Sequence, residues 1–260
     1  MEFNNLNIQD LQLEHSIDVT SSTGSANVSV GIPLSESRAG FNPSLSLQYN
    51  SSPRNSILGI GWSLAGLPFI SLDSSKGLPK YDGSDTFAFN GSNSLVPYML
   101  KTGSSWEQRI EENTDYWIYY YRSKLEESFI RFERWENKID GSIHWRTRST
   151  TNVISVYGLD STSSTRLFDP ENPNKQFIWL LESQYDSSGN AIIYQYKSED
   201  SIAIDPADSY ETNRLKKFDH VGFSQKYPEK ILYGNTKPLK PDAMVPNGNK
   251  WLFEIVFDYG

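Results

Sequence analysis

No cysteine occurs in the 260 residues. That excludes disulfide frameworks, thiol nucleophiles and cysteine-ligated zinc. It leaves the compartment open, because a chain of this length can bury enough surface to fold without covalent staples. Histidine is nearly as scarce: His15, His144 and His220 are the only three. Basic residues are outnumbered, with 24 Lys and Arg against 32 Asp and Glu and a net charge of −8. This balance argues against nucleic acid as a partner, since phosphate neutralisation needs a cationic surface. It argues against an anionic membrane surface on the same ground, a local basic patch aside. No apolar run approaches the roughly 18 residues that span a bilayer. The first residues, Met1-Glu2-Phe3-Asn4-Asn5, lack the basic-then-apolar order of a cleaved leader. The expectation is a chain with no membrane span and no signal peptide, which, if exported, leaves by a route independent of one.

What the chain has instead is aromatic residues. Trp, Tyr and Phe number 7, 15 and 13, or 13% of the chain, against a modest hydrophobic total of 37%. Aromatics bury large areas per residue and favour strands, so a sheet core is within reach despite few aliphatics. The run from Gly40 to Leu72 sets two alternating segments around a Gly/Pro/Ser/Asn loop. Ser44–Tyr49 alternates with period two, and Gly59-Ile60-Gly61-Trp62 places glycines beside an indole, where the backbone can bend or approach a neighbour closely. Ala26–Pro33 reads as a first strand. Thr86–Asn90 and Ser94–Met99 read as a hairpin around Asn90-Gly91.

Aromatic strands with charged neighbours follow at Tyr116–Tyr121, Ser128–Trp135, Ser142–Arg148 and Asn152–Gly158, the pattern of an antiparallel meander. Phe177–Tyr196 is a hairpin around Asp186–Asn190. Ser209–Phe218 gives only a weak helical period. Ile231–Asn235 reads as an edge strand and Trp251–Tyr259 as the last strand. The fold class is therefore all-β: an antiparallel, sandwich-like domain with aromatic-rich meander strands. Residues 1–20 form an N-terminal arm and 21–260 a single β domain.

Several of these segments, taken in order, resemble a known family. They are Gly31–Ser51 (GIPLSESRAGFNPSLSLQYNS), Leu58–Leu64 (LGIGWSL), Ser75–Gly91 (SKGLPKYDGSDTFAFNG) and Leu95–Tyr98 (LVPY). Ile154–Gly158, Arg166–Ser183, Tyr185–Tyr196, Ile231–Asn235 and Phe253–Gly260 (FEIVFDYG) continue the order. The string resembles the SpvB-type N-terminal domain, which opens the B components of bacterial insecticidal toxin complexes and the virulence-plasmid SpvB toxins. The resemblance runs from about residue 20 to the end, and motifs in series are more specific than any one alone. It implies a β-rich, non-catalytic piece of a longer toxin protein, part of a shell that encloses a toxic cargo or a docking surface for it. In the plasmid toxins the domain precedes a separate ADP-ribosyltransferase domain. The hairpin at Tyr185-Asp186…Gly189-Asn190 resembles one YD-type Rhs unit. The partners implied are other toxin-complex subunits or downstream domains of the same protein, and the implied location is extracellular.

Ser161-Thr162-Ser163 resembles the Ser-Thr-Ser element of ADP-ribosyltransferases, but the Glu-x-Glu that family also needs occurs nowhere in the chain. The segment reads as a polar loop. His144, between Ile143 and Trp145 on a strand, reads as a structural imidazole, and no Gly-x-Ser-x-Gly elbow is present. Glu111-Glu112 and Glu126-Glu127 read as solvated charges. Asp82–Asp85 and Asp186–Asn190 offer oxygen ligands on turns without completing an EF-hand spacing, and turn chemistry explains both. No catalytic, cofactor-binding or metal-binding residue is assigned, and no cofactor is expected. The alternative to a shell module is an independent binding module, lectin-like or host-protein-binding. On that reading, aromatics of the Tyr116–Tyr121 run stack on a host glycan or surface protein rather than pack inside a sheet covered on both faces.

Overall fold

The computed structural model describes residues 15–20, 24–51, 55–75, 77–126, 128–160, 164–199, 205, 209, 225–241 and 249–259, and strand dominates them. The chain divides into two compact units, residues 1–67 and 68–260. The weak helical period at Ser209–Phe218 and the Ser161-Thr162-Ser163 segment lie outside the described residues, apart from Ser209 in a turn.

In the first unit, β1 (His15–Thr20), β2 (Ser25–Gly31), β3 (Ser46–Asn50) and β6 (Trp62–Ala65) make one antiparallel sheet in that order. Between β3 and β6, β4 (Asn55–Ser56) and β5 (Gly59–Ile60) pair as a small hairpin. His15–Thr20, which the sequence reading puts in the lead-in arm, pairs along its whole length with β2. The alternating Ser46–Tyr49 lies opposite Ala65–Trp62, so Tyr49 and Trp62 face each other with ring centroids 5.2 Å apart. Gly61 is what permits this contact. Its φ is +80°, and a Cβ there would stand 2.7 Å from Tyr49 Cε2 and 2.9 Å from the Asn50 carbonyl oxygen.

In the second unit the strands are β7 (Phe69–Leu72), β8 (Phe87–Phe89), β9 (Asn93–Pro97), β10 (Met99–Thr102), β11 (Ser105–Gln108), β12 (Ile110–Glu112) and β13 (Tyr116–Ser123). They continue as β14 (Arg131–Asn137), β15 (Ile143–Arg148), β16 (Ile154–Tyr157), β17 (Arg166–Asp169), β18 (Asn172–Tyr185), β19 (Ala191–Ser198), β20 (Lys226–Asn235) and β21 (Trp251–Val256). Thirteen of them form one sheet; β10 and β11 pair separately. Asn90 and Gly91, both at positive φ, turn β8 into β9 as the sequence leads one to expect. Phe129, which strict alternation would place on β14, precedes the strand at φ +52° and is exposed. Ile231–Asn235 is not an edge: β20 is flanked by β19 and β21.

Eight strands close on themselves in the order β16-β15-β14-β13-β9-β8-β7-β18, because β16 also pairs with β18 through Ile154↔Tyr185 and Tyr157↔Leu181. The sheet is therefore barrel-like. Directly opposed residues share a face, so the register defines the interior. Phe87↔Leu95, Pro97↔Tyr121, Tyr121↔Phe132, Arg134↔Trp145, Trp145↔Tyr157 and Trp179↔Ile70 all point inward. Eight strands leave just enough room for side chains to fill the centre or for one small ligand. Here the centre is aromatic: Phe87 lies 4.8 Å from Trp145, 5.7 Å from Tyr121 and 6.0 Å from Trp179, mostly edge-to-face. At the far end of β18, β19, β20 and β21 leave the ring as an open extension.

Replacing fully buried Trp145 with alanine should lower unfolding free energy by about 3–5 kcal/mol. Trp106→Ala, on the β10–β11 hairpin at 64% exposure, should change it by no more than about 0.5 kcal/mol. Urea titration monitored by far-UV circular dichroism checks both. The midpoint should fall for the first variant only, with an unchanged denaturant slope.

Candidate functional site

One end of the barrel holds a cavity of about 670 Å³. Its floor is the edge of the aromatic core, where the largely buried Phe87, Tyr121 and Trp179 line it. Trp179 is locked in place because its indole N–H donates to the Ile143 carbonyl at 3.0 Å, across the mouth. The rim comes from three turns. The β7–β8 connection supplies Tyr81 and Asp85, the β14–β15 turn Asp140 and Ser142, and the β17–β18 turn with the start of β18 Asn174 and Gln176. Backbone amides orient the carboxylates: Asp85 accepts from the N–H groups of Lys80 and Tyr81 at 2.9 and 2.6 Å, and Asp140 from that of Ser142 at 2.8 Å. These bonds from Ser142 hold the Asp140 carboxyl below its usual range. Arg134 enters from β14 with its guanidinium 4.5 Å from the Tyr119 ring centroid and paired with Glu136.

The outer face of β13, β14 and β15 carries a second aromatic cluster. Tyr116, Trp135 and His144 are mutually within 5.6 Å, and the Arg146 guanidinium covers Trp135 at 3.8 Å. Trp135 donates to Glu133 at 3.1 Å, and Glu133 pairs with Arg131 at 2.8 Å. The Arg146 Nε donates to His144 Nε2 at 3.3 Å. The His144 pKa falls to about 3, first through burial and then through the Arg146 and Arg166 charges. It is the structural imidazole that the sequence suggests. Both faces of the meander are thus covered, the inner by the barrel core and the outer by arginine stems and guanidinium groups.

The other candidates do not converge. Glu111 and Glu112 lie on β12 and are engaged rather than merely solvated. Glu111 pairs with Arg109 and accepts from the Tyr120 hydroxyl at 2.8 Å, and Glu112 accepts from Lys138 at 2.8 Å. Tyr120 is correspondingly pushed up to about 12, by burial first and by that bond second. A smaller cleft of about 260 Å³ brings Arg109, Arg122 and Arg131 together with Tyr98. Two of its guanidinium groups are neutralised by Glu111 and Glu133, and Glu126 stands on its rim. Asp82 and Asp186 do the work of turns: each accepts backbone N–H groups within its own turn, from Ser84 and from Ser188 and Asn190 respectively. Among the described residues no group of three or more His, Asp or Glu side chains could hold a metal. His220 lies outside the described residues, as does Glu127. What sequence reasoning missed is the barrel mouth. Its rim residues were legible only as separate turns.

The family model described as Salmonella virulence plasmid 65kDa B protein matches residues 20–260. The chain belongs to the SpvB family. Its relatives include the mono(ADP-ribosyl)transferase SpvB of Salmonella choleraesuis strain SC-B67, 29% identical over 247 residues, which cover 91% of this chain and 40% of the relative. The chain thus spans about two fifths of the curated relatives it matches. Among solved structures, the N-terminal domain of effector protein SpvB from Salmonella typhimurium strain LT2 matches with a TM-score of 0.74 at 29% identity. That match covers 88% of this chain and 72% of the other. The TcdB2-TccC3 crystal structure matches with a TM-score of 0.80 at 27% identity, over 95% of this chain and 12% of the other. The Photorhabdus luminescens Tc holotoxin pore matches at 0.78, with 27% identity, over 95% and 11%. The fold of this chain is thus shared with the SpvB N-terminal domain and with about a tenth of each of these toxin-complex chains. Among the described residues no helix is long and apolar enough to cross a membrane.

His144 gives this SpvB-family domain a specific pH dependence. An unfolded histidine titrates near 6.5 and the folded one near 3. Between these values the unfolded chain binds a proton that the native chain does not, so stability is full above about pH 6.5 and is lost as pH falls towards 3. The slope approaches about 1.4 kcal/mol per pH unit. Buried Glu182, whose pKa is raised by desolvation, works with the opposite sign, so the wild-type curve is a sum. The difference between wild type and His144→Gln isolates the histidine. Denaturant midpoints measured from pH 7 to pH 4 should converge for the two proteins as pH falls.

Proposed function

We propose that this chain is a non-catalytic wall module of a toxin-complex protein, contributing to a β-sheet shell or docking surface for an enclosed toxic cargo. The observation that carries the proposal is the match to TcdB2-TccC3, in which 95% of this chain is reproduced within 12% of a far longer one. A piece so small relative to its host acts through what it joins. Its partners are then other toxin-complex subunits or further domains of the same protein, outside the producing cell. The transferase activity named for the SpvB relatives is not proposed for this chain, which spans two fifths of their length and holds no Glu-x-Glu pair.

The surface best suited to joining is the end of the extension. Among the described residues β21 pairs only with β20, leaving one edge of backbone donors and acceptors open. Its outward residues Leu252 and Val256 are 62% and 59% exposed, while Phe253 stacks inward on Tyr233 at 5.1 Å. An edge of this kind is a template for another strand or layer.

The double variant Leu252→Lys/Val256→Lys tests the proposal in the full gene product. Cargo protection against an added protease should be lost while the domain's melting temperature stays within a few degrees, because both side chains are already exposed. Unchanged protection, or a gene product with no protected segment at all, would count against a wall role.

A further inference from the structure

The cavity at the barrel mouth is built for a ligand, and we infer that it binds a neutral saccharide unit. Its volume of about 670 Å³ lies in the range of ligand pockets, which favour the mouths of β-barrels. The chemistry of the lining selects the class. Phe87, Tyr121 and Trp179 supply an apolar floor, and Asp85, Asp140 and Gln176 stand above it. The carboxylates can only accept hydrogen bonds when ionised, and the amide both donates and accepts. A pyranose matches this set: one face of C–H bonds for the aromatic floor, and a rim of hydroxyls that each donate and accept.

Competing ligand classes fit worse. A cation would find carboxylates and aromatic rings, but Arg134 already lines the cavity, its guanidinium 4.5 Å from the Tyr119 ring centroid and 6.0 Å from that of Phe87. A second positive charge there would be repelled. An anion would face Asp85 and Asp140, while the Arg134 charge is already answered by Glu136. The rim is also preformed, since backbone amides fix both carboxylates and Ile143 fixes the Trp179 indole. Little ordering remains to be done on binding. The site holds whether or not the domain is part of a shell.

The test uses the full chain with lactose, maltose, cellobiose and chitobiose as probes, and choline and glucuronate as the cationic and anionic controls. Saturation-transfer NMR detects binding and calorimetry measures it. At least one neutral disaccharide should bind and outcompete both controls. Asp140→Ala and Gln176→Ala, neither in the fully buried core, should each weaken it about tenfold or more, equivalent to about 1.4 kcal/mol, with melting temperatures within a few degrees of wild type. Trp106→Ala, on an exposed hairpin elsewhere, should leave affinity as it was. Failure of all four sugars, stronger binding of choline or glucuronate, or sugar binding that survives both mouth variants would overturn the assignment.

Discussion

The second unit depends on one seam, the pairing of β16 with β18. Without Ile154–Tyr157 against Leu181–Tyr185 the eight strands would be an open sheet, and Trp145, Trp179 and Phe87 would line a wet face. The seam is possible because β18 is 14 residues long and is used along both edges. One edge takes β16 and then β17, and the other takes β19 and then β7. A strand that long, roughly 48 Å at about 3.4 Å per residue, outruns the barrel and roots the β19–β21 extension as well. Closure and extension are therefore consequences of the same segment.

Polar bonds reinforce the seam from inside and apolar contact reinforces it from outside. Gln184 donates to Ser155 at 3.1 Å while accepting from the Tyr194 hydroxyl at 2.8 Å, and Tyr196 donates to the Leu181 carbonyl at 2.8 Å. On the outer side, Val156, Tyr185, Ala191 and Leu239 pack as one cluster, with Ile154 and Trp251 against it. Asn235 holds the neighbouring turn: its Oδ1 accepts from the Ala191 N–H, and its Nδ2 donates to the carbonyls of Gly189 and Lys237, all within 2.8 Å. One buried amide thus bonds three backbone groups at the root of the extension.

Local pattern made much of this legible. Period-two alternation located β2 and β3, aromatic runs with charged neighbours located β13 and β15, and a turn cluster between two apolar-aromatic segments located the β18–β19 hairpin. The glycine beside Trp62 announced a close approach, which is Gly61 against Tyr49. What stayed hidden was non-local. Met99–Gln108, a hairpin whose residues are mostly exposed, has no buried face to print an alternation. Arg166–Asp169 is held against β18 through register shifts, and a bulged strand loses its period. Closure was hidden for a different reason: no residue of β16 or β18 states which strand lies across from it. The barrel mouth was hidden with it, since Asp85, Asp140 and Gln176 become neighbours only when the ring is shut.

The titratable groups bear on what kind of molecule this is. A general acid or base works best with a pKa near the operating pH. Burial here drives the groups the other way: His144 falls to about 3, Tyr157 rises to about 12, and Tyr196 rises well above the ordinary phenol range. Each shift favours the neutral form, as desolvation does when no counter-charge is supplied. The buried Glu182 moves towards neutrality from below, but its carboxylate is spent on the Asp160 N–H at 2.8 Å and the Thr165 hydroxyl at 3.0 Å, tying down the loop between β16 and β17. His144, Tyr157 and Tyr196 are thereby held neutral near pH 7 inside the fold. On the proposed wall role such groups serve packing, and two surfaces among the described residues are left for recognition: the open edge of β21 and the barrel mouth.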